Sequence, residues 1–317
     1  MKISNGSMRF LPTTFILVGI PGLEAEHIWI SIPFCLMYII IFLGNGTILH
    51  VIRTDTALHQ PMYLFLALLA LAEVGVSVST LPTVLGIFLF DITEINFDAC
   101  LLQMFCIHSF SIMESAVLLA MSVDRFVAIY SPLHYTTILT LPRIIGTGAI
   151  IGFKSIMLMS PLPLLLRRLP FCGHNVLSHS YCLHPNLIHL PCGDVSINNI
   201  YGLFIVISTF GLDSLLIVVS YGLILHTVLG IANGEGRRKA LNTCGSHVCA
   251  VLAYYVPMIG LSMVHRFGHH VSPLLQAMMA NAYLFFPPVV NPIVYSMKTK
   301  EIRRGIVRIL LQKRARV

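Results

Sequence analysis

Seven stretches of the chain are apolar for long enough to cross a bilayer: Ile28–Ile52, Met62–Phe90, Leu101–Ile129, Ile144–Leu166, Ile197–Leu229, Val248–Val264 and Leu274–Tyr295. Spanning the hydrocarbon core takes roughly 20 mostly apolar residues in helical form. The sixth stretch is the shortest and the fifth the longest. Runs this apolar must bond their backbones internally, so they predict helices and not the alternating strands of a barrel. After Tyr295, the segment SMKTKEIRRGIVRILLQKRARV places Ile302, Ile306, Ile309 and Leu310 on one helical face with bases on the other. That pattern suits a helix lying on an anionic membrane surface, with lipid as its partner. The expected fold is an all-α membrane protein, a seven-transmembrane-helix bundle with a short amphipathic helix after the seventh. It is read as one domain over residues 1–317: an outer tail 1–27, the bundle 28–296 and an inner tail 297–317. The connections are short except for the one from Arg167 to Ser196, rich in His, Cys and Pro, and a long structureless loop is usually functional. The pattern has no internal repeat, which counts against many secondary transporters.

Composition and charge sharpen this picture. Only 10% of the 317 residues are charged against 56% hydrophobic, with mean hydropathy +0.84, whereas soluble domains carry about 25% charged residues. One set of connections holds Arg53, Arg143, Arg237, Arg238, Lys239, Lys298, Lys300, Arg303, Arg304, Arg308, Lys313, Arg314 and Arg316, with Arg125 at its edge. The other set holds Lys2, Arg9, Arg167, Arg168 and Arg266. Cytoplasmic loops collect Lys and Arg, so the amino terminus is expected outside and the carboxyl terminus inside. The net charge of +7 comes mainly from that inner face, and no nucleic-acid partner is needed to explain it. The opening MKISNGSMRF lacks an apolar core and is expected to stay in the mature chain, the first helix acting as its own insertion signal. Asn5-Gly6-Ser7 is a glycosylation acceptor on the outer tail, while Asn45-Gly46-Thr47 lies inside the first helix, out of reach. Cys100, Cys172, Cys182 and Cys192 fall on the outer side, where disulfides persist and three pairings are open. Cys35, Cys106, Cys244 and Cys249 are expected to be small buried hydrophobes.

Ionisable groups inside the spans are functional candidates, because lipid solvates them poorly. Glu73 lies twelve residues past Pro61 and Glu114 eleven before Arg125, depths of roughly 18 and 16 Å. Two carboxylates at one height cannot both be charged without a counter-ion, so they share a proton or hold a cation. Lys154 and Asp213 are expected to pair or to reach polar groups. Arg266, in SMVHRFGHH, has no acid close in sequence, and its planar fork matches a carboxylate. His108 or Ser262 could hydrogen-bond the same anion. An otherwise apolar cavity is expected from Phe105, Ile112, Met159, Leu162, Gly202, Val206 and Ile259. A rival site is the His-rich outer region of His174, His179, His184, His189, His265, His269 and His270, where imidazoles could bind zinc or copper.

Several motifs fall in order over nearly the whole chain. They are Gly44-Asn45, Pro61-Met62-Tyr63, MSVDRFVAIYSPLHY around Asp124-Arg125-Phe126, Ser220-Tyr221, KALNTCGSHVCAVLAYYVP over Lys239–Pro257, and Asn291-Pro292-Ile293-Val294-Tyr295. With them the chain resembles the rhodopsin-like G-protein-coupled receptors. Pro61-Met62-Tyr63 and the Lys-Ala…Thr-Cys…Ser-His run look like vertebrate odorant receptors. HSYCLHPN, PLPLLLRRLPFC and GLSMVHRFG look like their class I, family-51-like branch.

The resemblance implies a receptor and not an enzyme, set in the plasma membrane, needing no cofactor beyond a structural sodium ion at Glu73 and Glu114. Many such receptors carry Asp in place of Glu73. It implies a small odorant as ligand, an organic acid anchored by Arg266, and a heterotrimeric stimulatory olfactory G protein that raises cyclic AMP. Asp124 holds Arg125 at rest, and activation frees Arg125 toward a cleft lined by Tyr221 and Tyr295, with His247 and Asn291 completing the switch. Phe126 departs from the usual Tyr and removes one hydroxyl from it. Pro257 offers the sixth helix a pivot. The expected disulfide is Cys100–Cys182, with Cys172–Cys192 a further candidate. A cation-coupled transporter using Glu73 and Glu114 is the alternative of a different class.

Overall fold

Proline and capping side chains set where most of the helices begin. Pro61 and Pro273 occupy first-turn positions, where the missing N–H costs nothing. Asn96 caps its helix by accepting from the Asp98 amide at 2.9 Å, and Ser272 accepts from the Leu275 amide at 3.3 Å. A computed structural model describes residues 12–231, 233–267 and 271–314, with the side chains of 239, 243, 265–267 and 309–314 outside that description. The long helices are α1 (His27–Thr54), α2 (Pro61–Phe90), α3 (Phe97–Tyr130) and α4 (Leu141–Arg167). They are followed by α5 (Ser196–Leu229), α6 (Gly234–Phe267), α7 (Pro273–Lys298) and α8 (Lys300–Arg314). The first seven are long and apolar enough to cross a membrane, and the protein is an all-α seven-helix membrane bundle.

Which faces turn outward follows from the solvent. Trp29, Leu43, Ile150, Phe153 and Val218 are each about two-thirds exposed, as expected of side chains that meet lipid tails. The polar groups instead lie inside: Asn45, Glu73, Glu114, Asp124, Asp213 and Asn291 are all buried. α4 breaks at Ser160, whose successor Pro161 starts a second helical segment through Arg167. α5 carries a π turn over Ile207–Gly211, a distortion often found at functional sites.

Three expectations are corrected. α6 does not start near Val248 but at Gly234. Its first turns are polar, so hydropathy is blind to them, while the i to i−4 bonds carry the helix past the apolar region. The loop between α4 and α5 is not structureless: it holds a strand, Val176–Leu177, and a single turn, His184–Leu187. That strand, β3, joins β1 (Thr14–Leu17) and β2 (Glu94–Asn96) in a small sheet of order β2-β1-β3. β1 pairs antiparallel with β2 and parallel with β3, and its fully buried Phe15 rests on Phe97 and Phe171 at 5.4 and 5.8 Å. Cys249 is exposed on the outer face instead of buried, which a weakly polar thiol tolerates in lipid.

At the other end, α8 docks on α1. Ile302 is fully buried, Gly305 lies directly against Val51, and Arg308 pairs with Asp55 at 3.3 Å. Ile302 therefore faces protein, and Ile306 packs partly against the same core. Ile309 and Leu310 lie outside the described side chains.

α2 and α3 pack tightly at Gly75, where a Cβ would meet the Phe110 ring at 2.6 Å. Gly75→Ala should destabilise the bundle by about 1–3 kcal/mol through overpacking. Melting of the purified protein checks this, against Gly46→Ala as control, since a Cβ there meets nothing within 4 Å.

Candidate functional site

A cavity of about 200 Å³ opens between α3, α4, α5, α6 and α7 at the disulfide-bearing end. Cys100, near the start of α3, is bonded to Cys182, and Cys172 to Cys192, so the loop is pinned across the bundle mouth. Gln103 holds it again: its Oε1 accepts from the Cys182 amide at 2.9 Å, while its Nε2 donates to Ser79 O and Thr83 Oγ1 on α2. Two residues past Cys182, the His184 amide donates to His108 Nε2 at 3.2 Å. That bond makes His108 Nε2 an acceptor and assigns the proton of the neutral ring to Nδ1. His184 is itself buried, and burial pushes its imidazole down to about 4, so it is neutral at physiological pH.

Of the residues expected at the ligand end, His108, Ile112, Met159, Leu162, Gly202, Val206 and Ser262 line this cavity. Two do not. Ile259 is 49% exposed on the outer face of α6, and its neighbour Met258 lines the cavity instead, one residue of a helix being a turn of about 100°. Phe105 is partly buried against the core, away from the cavity wall. Arg266 lies in the last turn of α6, four residues past Ser262, and its side chain is outside the described residues. His184, Leu183, Phe210 and Tyr283 also line the cavity and were not anticipated there. The loop pair had a signal: His108 sits two turns below Cys100, so a loop residue just past Cys182 must land beside it. The expected glycosylation acceptor Asn5, and His265, His269 and His270, also fall outside the description. Among the described residues, no three His, Cys, Asp or Glu side chains group to hold a metal.

Below the cavity floor, Asp213 Oδ2 accepts from Ser115 Oγ at 2.8 Å. Ser115, having given its one proton, accepts from Tyr255 OH at 2.8 Å. Asp213 has thus reached polar groups, and among the described residues no ion pair joins it to Lys154. At mid-bundle, Asn291 Nδ2 donates to Glu73 Oε1, and Asn45 Nδ2 donates to Pro288 O at 3.3 Å. Glu73 Oε2, Glu114 Oε1 and Asn291 Oδ1 are buried oxygens without a partner. Such a set of hard oxygen acceptors fits a small cation.

At the far end lie the residues expected to form the switch. Arg125 Nη2 and Nε donate to Asp124 Oδ2 at 2.8 and 3.1 Å, and Tyr135 OH donates to Asp124 Oδ1 at 2.6 Å. The single-turn helix Tyr135–Ile138 that presents Tyr135 lies outside the spans, and burial there raises the phenol well above its ordinary value. Tyr221 OH and His247 Nδ1 are 2.6 Å apart, tying α5 to α6. Tyr295 is fully buried with its hydroxyl unpartnered. Phe126, where a hydroxyl would be usual, stacks on Tyr130 at 5.2 Å.

The seven membrane helices thus carry a roofed cavity at one end and a buried ion pair at the other. The profile of the family described as Olfactory receptor matches residues 34–313. Among curated relatives, human Olfactory receptor 51J1 is 64% identical, with both chains covered in full. Human Olfactory receptor 51G2 is 58% identical over 94% of this chain and 95% of its own, and human Olfactory receptor 51I2 is 56% identical over the same shares. The chain belongs to the olfactory receptor family of G-protein-coupled receptors. It is a multi-pass plasma-membrane receptor and not an enzyme, it needs no cofactor, and its partners are an odorant and a G protein.

His184 yields a pH test. Its folded value of about 4 lies below the ordinary imidazole value, so its contribution to loop docking is complete above about pH 6.5 and is lost as pH falls toward 4. Taking the receptor from about pH 7.5 to about pH 5 should cost about 2 kcal/mol at this site. A melting temperature that falls less in His184→Asn than in the unsubstituted protein is the expected result.

Proposed function

We propose that this receptor binds small carboxylic acids in the cavity beneath the second loop and activates a stimulatory olfactory G protein, raising cyclic AMP. The observation that carries this reading is the composition of the cavity. Its walls are mostly apolar, His108 and Ser262 are among its polar groups, and α6 carries Arg266 one turn past Ser262. The acid head meets the Arg266 guanidinium in a bidentate pair, with Ser262 or His108 as second contact. Ile112, Met159, Leu162, Gly202 and Val206 then limit chain length, since one methylene changes binding by about 1–3 kcal/mol.

In this reading residues 1–27 and the disulfide-bonded loop are extracellular and the basic end is cytoplasmic, as the Lys and Arg bias requires. Asn5 then carries the glycan, and residues 1–317 act as one domain. A ligand shifts a two-state equilibrium only by its differential affinity for the states. Closing α6 over the acid supplies that difference, and Pro257 gives the pivot. The inner end of α6 then swings outward, His247 parts from Tyr221, and Arg125 leaves Asp124 for the G protein beside Tyr295. A sodium ion at Glu73 and Glu114, with Asn291 Oδ1 near, would supply the positive charge that two carboxylates lack. Family membership favours signalling over cation-coupled transport at the same pair.

Cells expressing the chain, tested with a panel of straight-chain and branched acids against cyclic AMP, examine the reading. Arg266→Ala should abolish the response with surface expression kept, and an unchanged concentration dependence would contradict the anion anchor. Arg125→Ala should abolish cyclic-AMP output while acid binding to the purified receptor persists.

A further inference from the structure

The cavity is more open on one side than on the others. Met159, Leu162 and Ile205 line it and are only 1%, 2% and 4% exposed, so contact with the cavity does not by itself expose a side chain. Leu203 lines the same cavity and is 36% exposed, and Asn199 and His189 are exposed as well. Among the described lining residues these three are the exposed ones, and they are drawn from only two elements, the outer part of α5 and the end of the second loop. Next to them on α5, Ile200 and Phe204 are 68% and 53% exposed, so the opening borders the lipid-facing side of that helix.

Beside the opening, Tyr201 OH donates to Leu158 O at 2.8 Å and joins α5 to α4. There α5 meets the loop at Gly202, where an added Cβ would come within 3.0 Å of His184 Cε1. Any larger residue at 202 would fill the space between the helix and the loop. Counted from Ser196, Asn199 and Leu203 lie roughly 5 and 11 Å down the helix axis. The rim therefore runs from polar, at His189 and Asn199, to apolar at Leu203, the order of headgroups and tails in a leaflet.

We propose that this opening is a lateral port through which amphiphilic ligands dissolved in the leaflet at the disulfide-bearing end enter the cavity. A molecule with a polar head and a short apolar chain lies in that leaflet already oriented, head beside His189 and Asn199, chain beside Leu203. It reaches the cavity past His189, Asn199 and Leu203, without opening the disulfide-pinned roof. The proposal deepens the acid-receptor reading by naming the route, and it rests on that cavity being the ligand site.

The test reads transit directly, without depending on which ligand activates the receptor. The Ile112→Cys receptor, its new thiol on the α3 wall of the cavity, is placed in lipid nanodiscs and treated with N-hexylmaleimide. Peptide-resolved mass spectrometry separates alkylation at position 112 from that at the native cysteines. Adding Leu203→Trp should slow that alkylation about tenfold or more, and Asn199→Trp should slow it as well, should the first variant fail to fold. Ile200→Trp, on the lipid-facing side but outside the cavity lining, should leave the rate within about twofold. Rates at position 112 that are the same with and without either port substitution would overturn the proposal. If no acid activates the receptor but the port substitutions still slow alkylation, the ligand class is wrong and the route stands.

Discussion

A bilayer interior offers no hydrogen bonds, and that absence governs where the buried polar groups of the described spans sit. Backbone groups answer it by forming helices. Side chains answer it by turning inward and finding one another: Asp213 through Ser115 to Tyr255, Glu73 to Asn291, Gln103 to Ser79 and Thr83, Asp124 to Arg125 and Tyr135. Apart from Asp124 and Arg125, adjacent on α3, each link joins different helices or ties a helix to a loop, so the pairing that makes the bundle tolerable in lipid also fixes its register. Oxygens on Glu73, Glu114 and Asn291 are left over, buried without a partner.

The same links place the receptor's two ends in one mechanical frame. α3 carries His108 and Ile112 at the cavity, Ser115 below its floor and Arg125 at the opposite end. α6 carries Met258 and Ser262 at the cavity, Tyr255 beneath it and His247 beside Tyr221. In the proposed mechanism these two helices are the moving parts, with Pro257 between their sensing and coupling halves. A buried ion pair such as Asp124–Arg125 is costly to break unless a new partner takes the freed charge, and the G protein is that partner in this account.

Much of this was readable from the chain, and the failures share a physical origin. Long apolar runs locate helices well because lipid selects them by length, so most span ends fell within a few residues. α6 was misjudged because its first turns, from Gly234, leave the apolar region, where hydropathy has nothing to detect. The β1–β2–β3 sheet was missed because strands of two to four residues leave no alternation to read. Exchanging Ile259 for Met258 is an error of helical phase, which spacing within a single helix does not set. Most of the cavity lining was legible because motif positions fix depth, whereas the Tyr135 contact with Asp124 was not. His184 was named only among rival metal ligands, since its contact with His108 depends on the Cys100–Cys182 bond, a long-range constraint.

The central claim is that Asp124 restrains Arg125 in the unliganded receptor. Guanine-nucleotide exchange on a purified stimulatory heterotrimer, driven by the unliganded receptor in nanodiscs, measures that restraint. With Asp124→Asn the carboxylate charge is gone and the Arg is released, so basal exchange should rise several-fold over the unsubstituted receptor. A folded Asp124→Asn receptor whose basal exchange is unchanged or lower would contradict the account.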